Sequence, residues 1–378
     1  MLNDRKIYEG EHAIFREGVR RFFSAEMMRY RDEWDKAGTS PRQFWRKCGE
    51  AGFLCPQAPE EYGGSGADFR YNCIVAEETF YGGPAINLGV HSDIVAPYLL
   101  RYGTPEQKQR WLPGMVSGDI VTAIAMTEPG TGSDLANIKT TARLESDDYV
   151  IDGQKTFISN GQNADLILVV AKTNPAAGAK GVSLIFVESS RSGFARGQNL
   201  DKMGQHAADT SELFFDSVRV PVENRIGEEN HGFKYLMQEL PQERLIIAIT
   251  AAAAAQHAFD ITLPYVRERQ AFGRAIADFQ NTRFKLAEMA TELKVGWAFV
   301  DQCIATHLQG ELTTSEASMA KLWLTEMLGR VVDQCVQLHG GYGYVNEYGI
   351  CKAYVDARAH RIYGGTSEIM KELISRSL

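Results

Sequence analysis

Along the first third of the chain apolar residues recur three and four positions apart, as in HAIFREGVRRFF and AEETFYGG. This spacing predicts helices from residue 5 to about 120. Glycine and proline clusters at PQAPEEYGGSGADF and RYGTPEQ mark turns between them. Thr104, followed by Pro105 and Gln107, reads as a helix start. Near residue 121 the period changes. Short β-branched and aromatic runs (VTAIAM, YVIDGQKTFIS, DLILVVAKT, GVSLIFVES, SELFFDSVRV) alternate with turn signals and predict a compact antiparallel β domain. Asp152-Gly153 predicts a two-residue hairpin, because a type I′ turn needs positive φ at both central positions. After Gly232 the helical period returns in stretches from Leu240 to about Arg269, Asn281 to Gln309 and Thr314 to Leu338. The run Ala251 to Ala255 lets another helix pack closely. The predicted order is therefore a helical domain over 1–120, a central β domain over 121–231 and a helical domain over 232–378.

Composition narrows the class. The chain has 378 residues, 44% hydrophobic and 23% charged, which excludes disorder and small disulfide scaffolds and gives room for a sizeable buried site. Its net charge of −8 repels nucleic-acid phosphates, so no nucleic-acid partner is expected. Cys48, Cys55, Cys73, Cys303, Cys335 and Cys351 show no metal-ligand spacing and read as free thiols; no metal is expected. The N-terminus MLNDRKIYEGEHAIF lacks an apolar targeting core, and no uncharged stretch reaches the roughly 20 apolar residues of a membrane helix. The expectation is a cytoplasmic protein with no membrane partner, or a matrix protein if a presequence has been processed.

Candidate chemistry sits in a few segments. AMTEPGTGSDL carries Gly130-Thr131-Gly132, but the third glycine of a dinucleotide fingerprint would fall on Leu135, so a nicotinamide-binding fold is disfavoured. What is left is a loop of small and hydroxyl residues whose backbone N–H groups suit a planar or phosphorylated ligand, or make a plain turn. QLHGGYGY ends a helix in glycines, and YGGTSE precedes a last helix with Thr366 or Ser367 as its cap. Glu243, in LPQERLIIAI, falls in the first turn of a predicted helix near Pro241. The helix dipole favours the carboxylate there, whereas burial under an apolar ligand would raise its pKa and suit it to act as a general base. Arg244, the next residue, points elsewhere on the helix. The eight histidines form no H-E-x-x-H, and no G-x-S-x-G supports triad chemistry.

Taken in order, TEPGTGSD, DGQKTFISNG, RERQAFGRAIADFQ, QLHGGYGY and IYGGTSEIMKELI resemble the acyl-CoA dehydrogenase family across essentially the whole chain. LPQERL, KTFISNG and YVDARAHRIYGGTSEI place the resemblance closest to its long-chain branch. The resemblance implies an α-helical domain, a β domain and a C-terminal four-helix bundle, assembled as a homotetramer with FAD across a subunit interface. It implies that Ala125, Met126, Thr127 and Ser133 line the flavin and its diphosphate, and that Phe157, Ile158 and Ser159 flank the ring. From the neighbouring subunit Arg269, Phe272, Gln280, Gln337, Gly340 and Gly341 would hold the adenosine diphosphate half, with Thr366 and Glu368 completing the site. Ser133, Arg244, Gly364 and Gly365 would contact the acyl-CoA.

Many members of the family carry the base as the Glu of a Y-E-G-T motif, and here that position is Gly364. The long-chain and isovaleryl branches carry it where this chain has Glu243, so Glu243 is the expected base, with Glu368 a distant second. The implied reaction removes the α proton to Glu243 and the β hydrogen as hydride to the flavin, giving a trans-2-enoyl-CoA from a long-chain or branched acyl-CoA. The Gly364 N–H and a flavin ribityl hydroxyl would stabilise the enolate oxygen. Gly364 in place of Glu would also free volume beside the α carbon for branched chains. Electron-transfer flavoprotein is the implied acceptor. A flavin acyl-CoA oxidase, and a non-catalytic flavoprotein that binds DNA or a partner, are the alternatives.

Overall fold

The computed structural model describes residues 5–83 and 86–378. Six helices form the N-terminal block: α1 (Gly10–Glu26), α2 (Arg31–Ala37), α3 (Arg42–Glu50), α4 (Phe69–Phe80), α5 (Ala96–Tyr102) and α6 (Pro105–Ser117). A π-helical turn, Val90–Val95, runs directly into α5. The expected start of α6 is present in full. Thr104 accepts from the Gln107 N–H while the Gln107 side chain accepts from the Thr104 N–H, and Pro105 fills the first turn.

Eight strands follow: β1 (Thr122–Ala125), β2 (Thr141–Glu145), β3 (Asp148–Ser159), β4 (Leu166–Lys172), β5 (Val182–Glu188), β6 (Phe194–Asn199), β7 (Thr210–Pro221) and β8 (Arg225–Ile226). They form one sheet in the order β6-β7-β3-β2-β4-β5-β8, with β1 on β4. Most pairs are antiparallel, as expected, but β1 runs parallel to β4. The unbroken apolar run of β4 follows from its position. Leu166, Leu168 and Val170 face a core shared with the N-terminal helices, while Ile167, Val169 and Ala171 face a second core inside the β domain. A strand buried on both faces has no polar alternation.

The expected hairpin at Asp152-Gly153 is not there. β3 runs straight through these residues, and the tight connection is Ser146-Asp147, between the paired Glu145 and Asp148. Gly153 serves close approach instead. It lies at a register shift opposite β7, and a Cβ there would overlap Thr140.

The C-terminal block holds α7 (Gly232–Glu268), a small hairpin of β9 (Gln270–Ala271) and β10 (Arg274–Ala275), α8 (Gln280–Leu308), α9 (Thr314–His339), α10 (Gly349–Ala357) and α11 (Ser367–Ser375). Its core is built chiefly from α7, α8 and α9, with Ala251, Ala252, Ala253 and Ala255 buried in it as the alanine run implied. An 18-residue window of α7 is apolar enough to cross a membrane by composition, but 78% of that window is buried inside the protein. All six cysteines are free, and Cys351 alone among them is partly exposed.

Candidate active site

α7 begins eight residues before the predicted Leu240, so Glu243 lies deep in the helix and not in its first turn. Pro241 is likewise internal. The dipole argument therefore does not apply to Glu243, and burial governs it. Glu243 is 5% exposed and faces α5, where the fully buried Tyr98 Oη donates to its Oε1 at 2.9 Å. Desolvation pushes the carboxyl up to about 7, helped by Glu239, while the Tyr98 hydrogen bond and Arg244 pull it down. Glu368, the second candidate base, is exposed in the first turn of α11, and its carboxyl is held below its usual value by the helix start. Environment thus separates the two carboxylates: one is poised near neutrality, the other is an ordinary surface anion.

Arg244, the next residue, is also buried. Its Nε has no partner among the described residues, and burial lowers its pKa. Glu243 favours its charged form, but a buried donor left without a hydrogen-bond partner is costly unless a ligand completes it.

Gly364 (φ +65°) and Gly365 (φ +101°) form consecutive left-handed positions that side chains rarely adopt. The fully buried Lys321 of α9 donates from Nζ to the Gly365 carbonyl at 2.6 Å, and Thr366 caps α11 through the Ile369 N–H. The turn is therefore fixed from both sides. The Gly364 N–H makes no hydrogen bond within the described residues. The volume that glycine was expected to free is not empty, because a Cβ at 364 would overlap the Ile247 δ1 methyl.

The flavin residues implied by the resemblance fall into two groups. Thr127 Oγ1 donates to the Thr156 carbonyl and the Thr156 N–H returns to the Thr127 carbonyl, which brings Ala125, Met126 and Thr127 beside Phe157, Ile158 and Ser159. Phe157 has positive φ and is 68% exposed, at a bulge in β3. The side chains of Ala125 and Ile158 belong to the β core, so only their backbone faces outward, while Ser133 is exposed on its loop. Beneath this surface the buried Lys155 bonds the Met126 carbonyl (3.0 Å), Glu128 Oε1 (2.9 Å) and the Val170 carbonyl (2.8 Å). Burial lowers the Lys155 pKa to about 8 against the pull of Glu128.

The second group sits at one end of the C-terminal helices. Arg269 stacks over the Tyr342 ring at 5.2 Å, next to Gly340 and Gly341, where added side chains would meet nothing within 4 Å. Phe272, on the β9–β10 hairpin, is 96% exposed, and Gln280 and Gln337 are exposed too. These residues present a bare aromatic and cationic surface suited to a nucleotide. Sequence reasoning missed Tyr98, Lys155, Lys321 and Ile247. Only Ile247 carried a signal, as the residue one helical turn beyond Glu243.

The fold is one of three blocks, helical, β and helical, with a buried carboxylate on α7 and, on the same helix face, Ile247 packed against a glycine turn. Models of the acyl-CoA dehydrogenase N-terminal, middle and C-terminal domains match residues 9–119, 123–218 and 230–378. The chain is 50% identical to the long-chain specific acyl-CoA dehydrogenase of Rattus norvegicus, covering 99% of this chain and 88% of the relative. It is 37% identical to the 2-methylacyl-CoA dehydrogenase of Solanum tuberosum, over 96% and 89%. The crystal structure of an acyl-CoA dehydrogenase from Geobacillus kaustophilus superposes with a TM-score of 0.97 at 50% identity, covering 98% of this chain and 99% of that one. A glutaryl-CoA dehydrogenase from Mycobacterium smegmatis, solved with FADH2, superposes at 0.93 with 26% identity over 100% and 96%. This protein belongs to the acyl-CoA dehydrogenase family, and its fold is that of the family's flavoenzymes.

Proposed function

We propose that the protein is an FAD-dependent acyl-CoA dehydrogenase that introduces a trans-2 double bond into long-chain or branched acyl-CoA thioesters. The carrying observation is Glu243, a buried carboxylate held near neutrality on the face of α7 whose next turn, Ile247, packs against Gly364, a residue whose N–H is unpaired among the described residues. Tyr98 occupies Oε1, which leaves Oε2 to take the α proton. The Gly364 N–H, fixed through Lys321 and Gly365, donates to the thioester oxygen as negative charge develops there. The buried Arg244 Nε, without a hydrogen-bond partner among the described residues, supports a role for Arg244 in holding the acyl-CoA, with Ser133 and Gly365 as further contacts.

The residues present fit FAD. Exposed Phe157 offers an apolar face beside Thr127 and Ser133, and Arg269 supplies fixed charge for a diphosphate. FAD, when bound, supplies the two-electron acceptor that the protein's own groups lack. The exposure of Phe272, Gln280 and Gln337 on a different block from Phe157 supports completion of each site by a second copy, within a homotetramer. Electron-transfer flavoprotein is the acceptor that accords with this reading.

The test is anaerobic bleaching of the flavin by acyl-CoAs, wild type against Glu243→Gln. The wild type should bleach, and the variant should keep its flavin and bind acyl-CoA but lose reduction by several orders of magnitude. Full activity of the variant would remove Glu243 as the base. Rapid peroxide formation in air would move the reading to an oxidase.

A further inference from the structure

Glu243 and Ile247 are one helical turn apart on α7 and share a face. Ile247 is buried, and its δ1 methyl lies against Gly364. Among the described residues, and apart from the chain neighbours Tyr363 and Gly365, the only atoms within 4 Å of a Cβ placed on Gly364 are Ile247 Cδ1 and Cγ1. Ile247 therefore packs against the glycine turn from the same helix face that carries Glu243.

That packing has a chemical meaning, which rests on the function proposed above. The α carbon must present its proton to Glu243 Oε2 while its carbonyl oxygen sits on the Gly364 N–H. Its remaining α substituent then projects between α7 and residue 364, where Ile247 stands. We propose that Ile247 sets the tolerance for a branch on the α carbon, its δ1 methyl excluding a 2-methyl group that Gly364 alone would admit. Gly364 is then necessary for α-branched substrates but not sufficient. A single methyl that fits or fails to fit in an apolar pocket changes selectivity by about 10–200-fold.

The experiment uses the flavin-loaded enzyme as wild type, Ile247→Val and Ile247→Ala. It measures kcat/KM for a straight-chain acyl-CoA and for its 2-methyl analogue of equal length. The ratio of 2-methyl to straight-chain kcat/KM should rise from wild type through Ile247→Val to about tenfold or more in Ile247→Ala. Because it is a ratio within one preparation, loss of folded enzyme cancels. If Ile247→Ala does not fold, the Ile247→Val step alone decides. A flat ratio, a parallel fall for both substrates, or a wild type already as fast on the 2-methyl analogue would overturn the proposal. In those cases straight-chain turnover by the wild type leaves the dehydrogenase reading standing; a wild type that turns over neither acyl-CoA defeats both.

Discussion

At Glu243 the proposed function and stability oppose each other. Its carboxyl titrates near 7 in the folded protein against an ordinary 4.5, so the native state binds more protons than the unfolded chain between those values. Stability must fall as pH rises through that window, by about 3 kcal/mol in all. Glu243→Gln keeps the Tyr98 hydrogen bond without the charge. Its melting temperature should exceed that of the wild type at pH 8 and converge with it near pH 4; equal values at pH 8 would show that the carboxylate is not desolvated. Tyr98→Phe acts in the opposite sense on the same group. Losing a bond to the ionised form raises the Glu243 pKa further, so the acid limb of kcat/KM should move to higher pH. An unmoved limb would remove Tyr98 from control of the base.

At the scale of elements, the glycine turn before α11 depends on α9. Lys321 is buried and its pKa is lowered to about 8, chiefly by desolvation and then by Arg244. Lys321→Met keeps the bulk and leaves the Gly365 carbonyl unpaired, which costs about 1–3 kcal/mol locally. Amide exchange at Ile369 and Met370, whose N–H groups bond Thr366 at the end of the turn, should quicken, and kcat should fall more than KM rises, because the lost alignment matters most as charge develops on the substrate oxygen. The elements themselves were legible in part. The capping box at Thr104, the alanine-lined contact of α7 and the ends of α8 and α9 are local or periodic properties. Asp152-Gly153 misled because a glycine demanded by Thr140 across the sheet has the same spelling as one demanded by a turn. The start of α7 was missed because Pro241 reads locally as a helix opening, whereas burial carries the helix through it.

Across the whole molecule, the N-terminal segment is tied to the C-terminal block by a buried ion network. Arg5 and Arg16 both pair with Glu77 on α4, Arg16 also meets Glu78, and Arg5 reaches Asp301 on α8. Burial alone would raise the Glu77 pKa, but Arg5 and Arg16 outweigh it and hold the carboxylate below 4.5. Its contribution is therefore complete above that value and lost as pH falls below it. Glu77→Ala takes the shared carboxylate from two buried guanidinium groups, leaving Arg5 with Asp301 and Arg16 with Glu78, and should cost about 3–5 kcal/mol in urea unfolding, while turnover per bound flavin is unchanged. A change below about 1 kcal/mol would make the network incidental.

The sequence by itself determined the three-block order and the resemblance, and singled out Glu243 as the candidate base, because periodicity, caps and long motifs are written along the chain. Only the tertiary structure decided what surrounds that base. Tyr98 reaches Glu243 from α5, Ile247 and Lys321 reach the glycine turn from α7 and α9, and whether a carboxylate is a surface anion or sits near neutrality depends on how much water its neighbours remove. No reading along one strand of sequence contains that quantity.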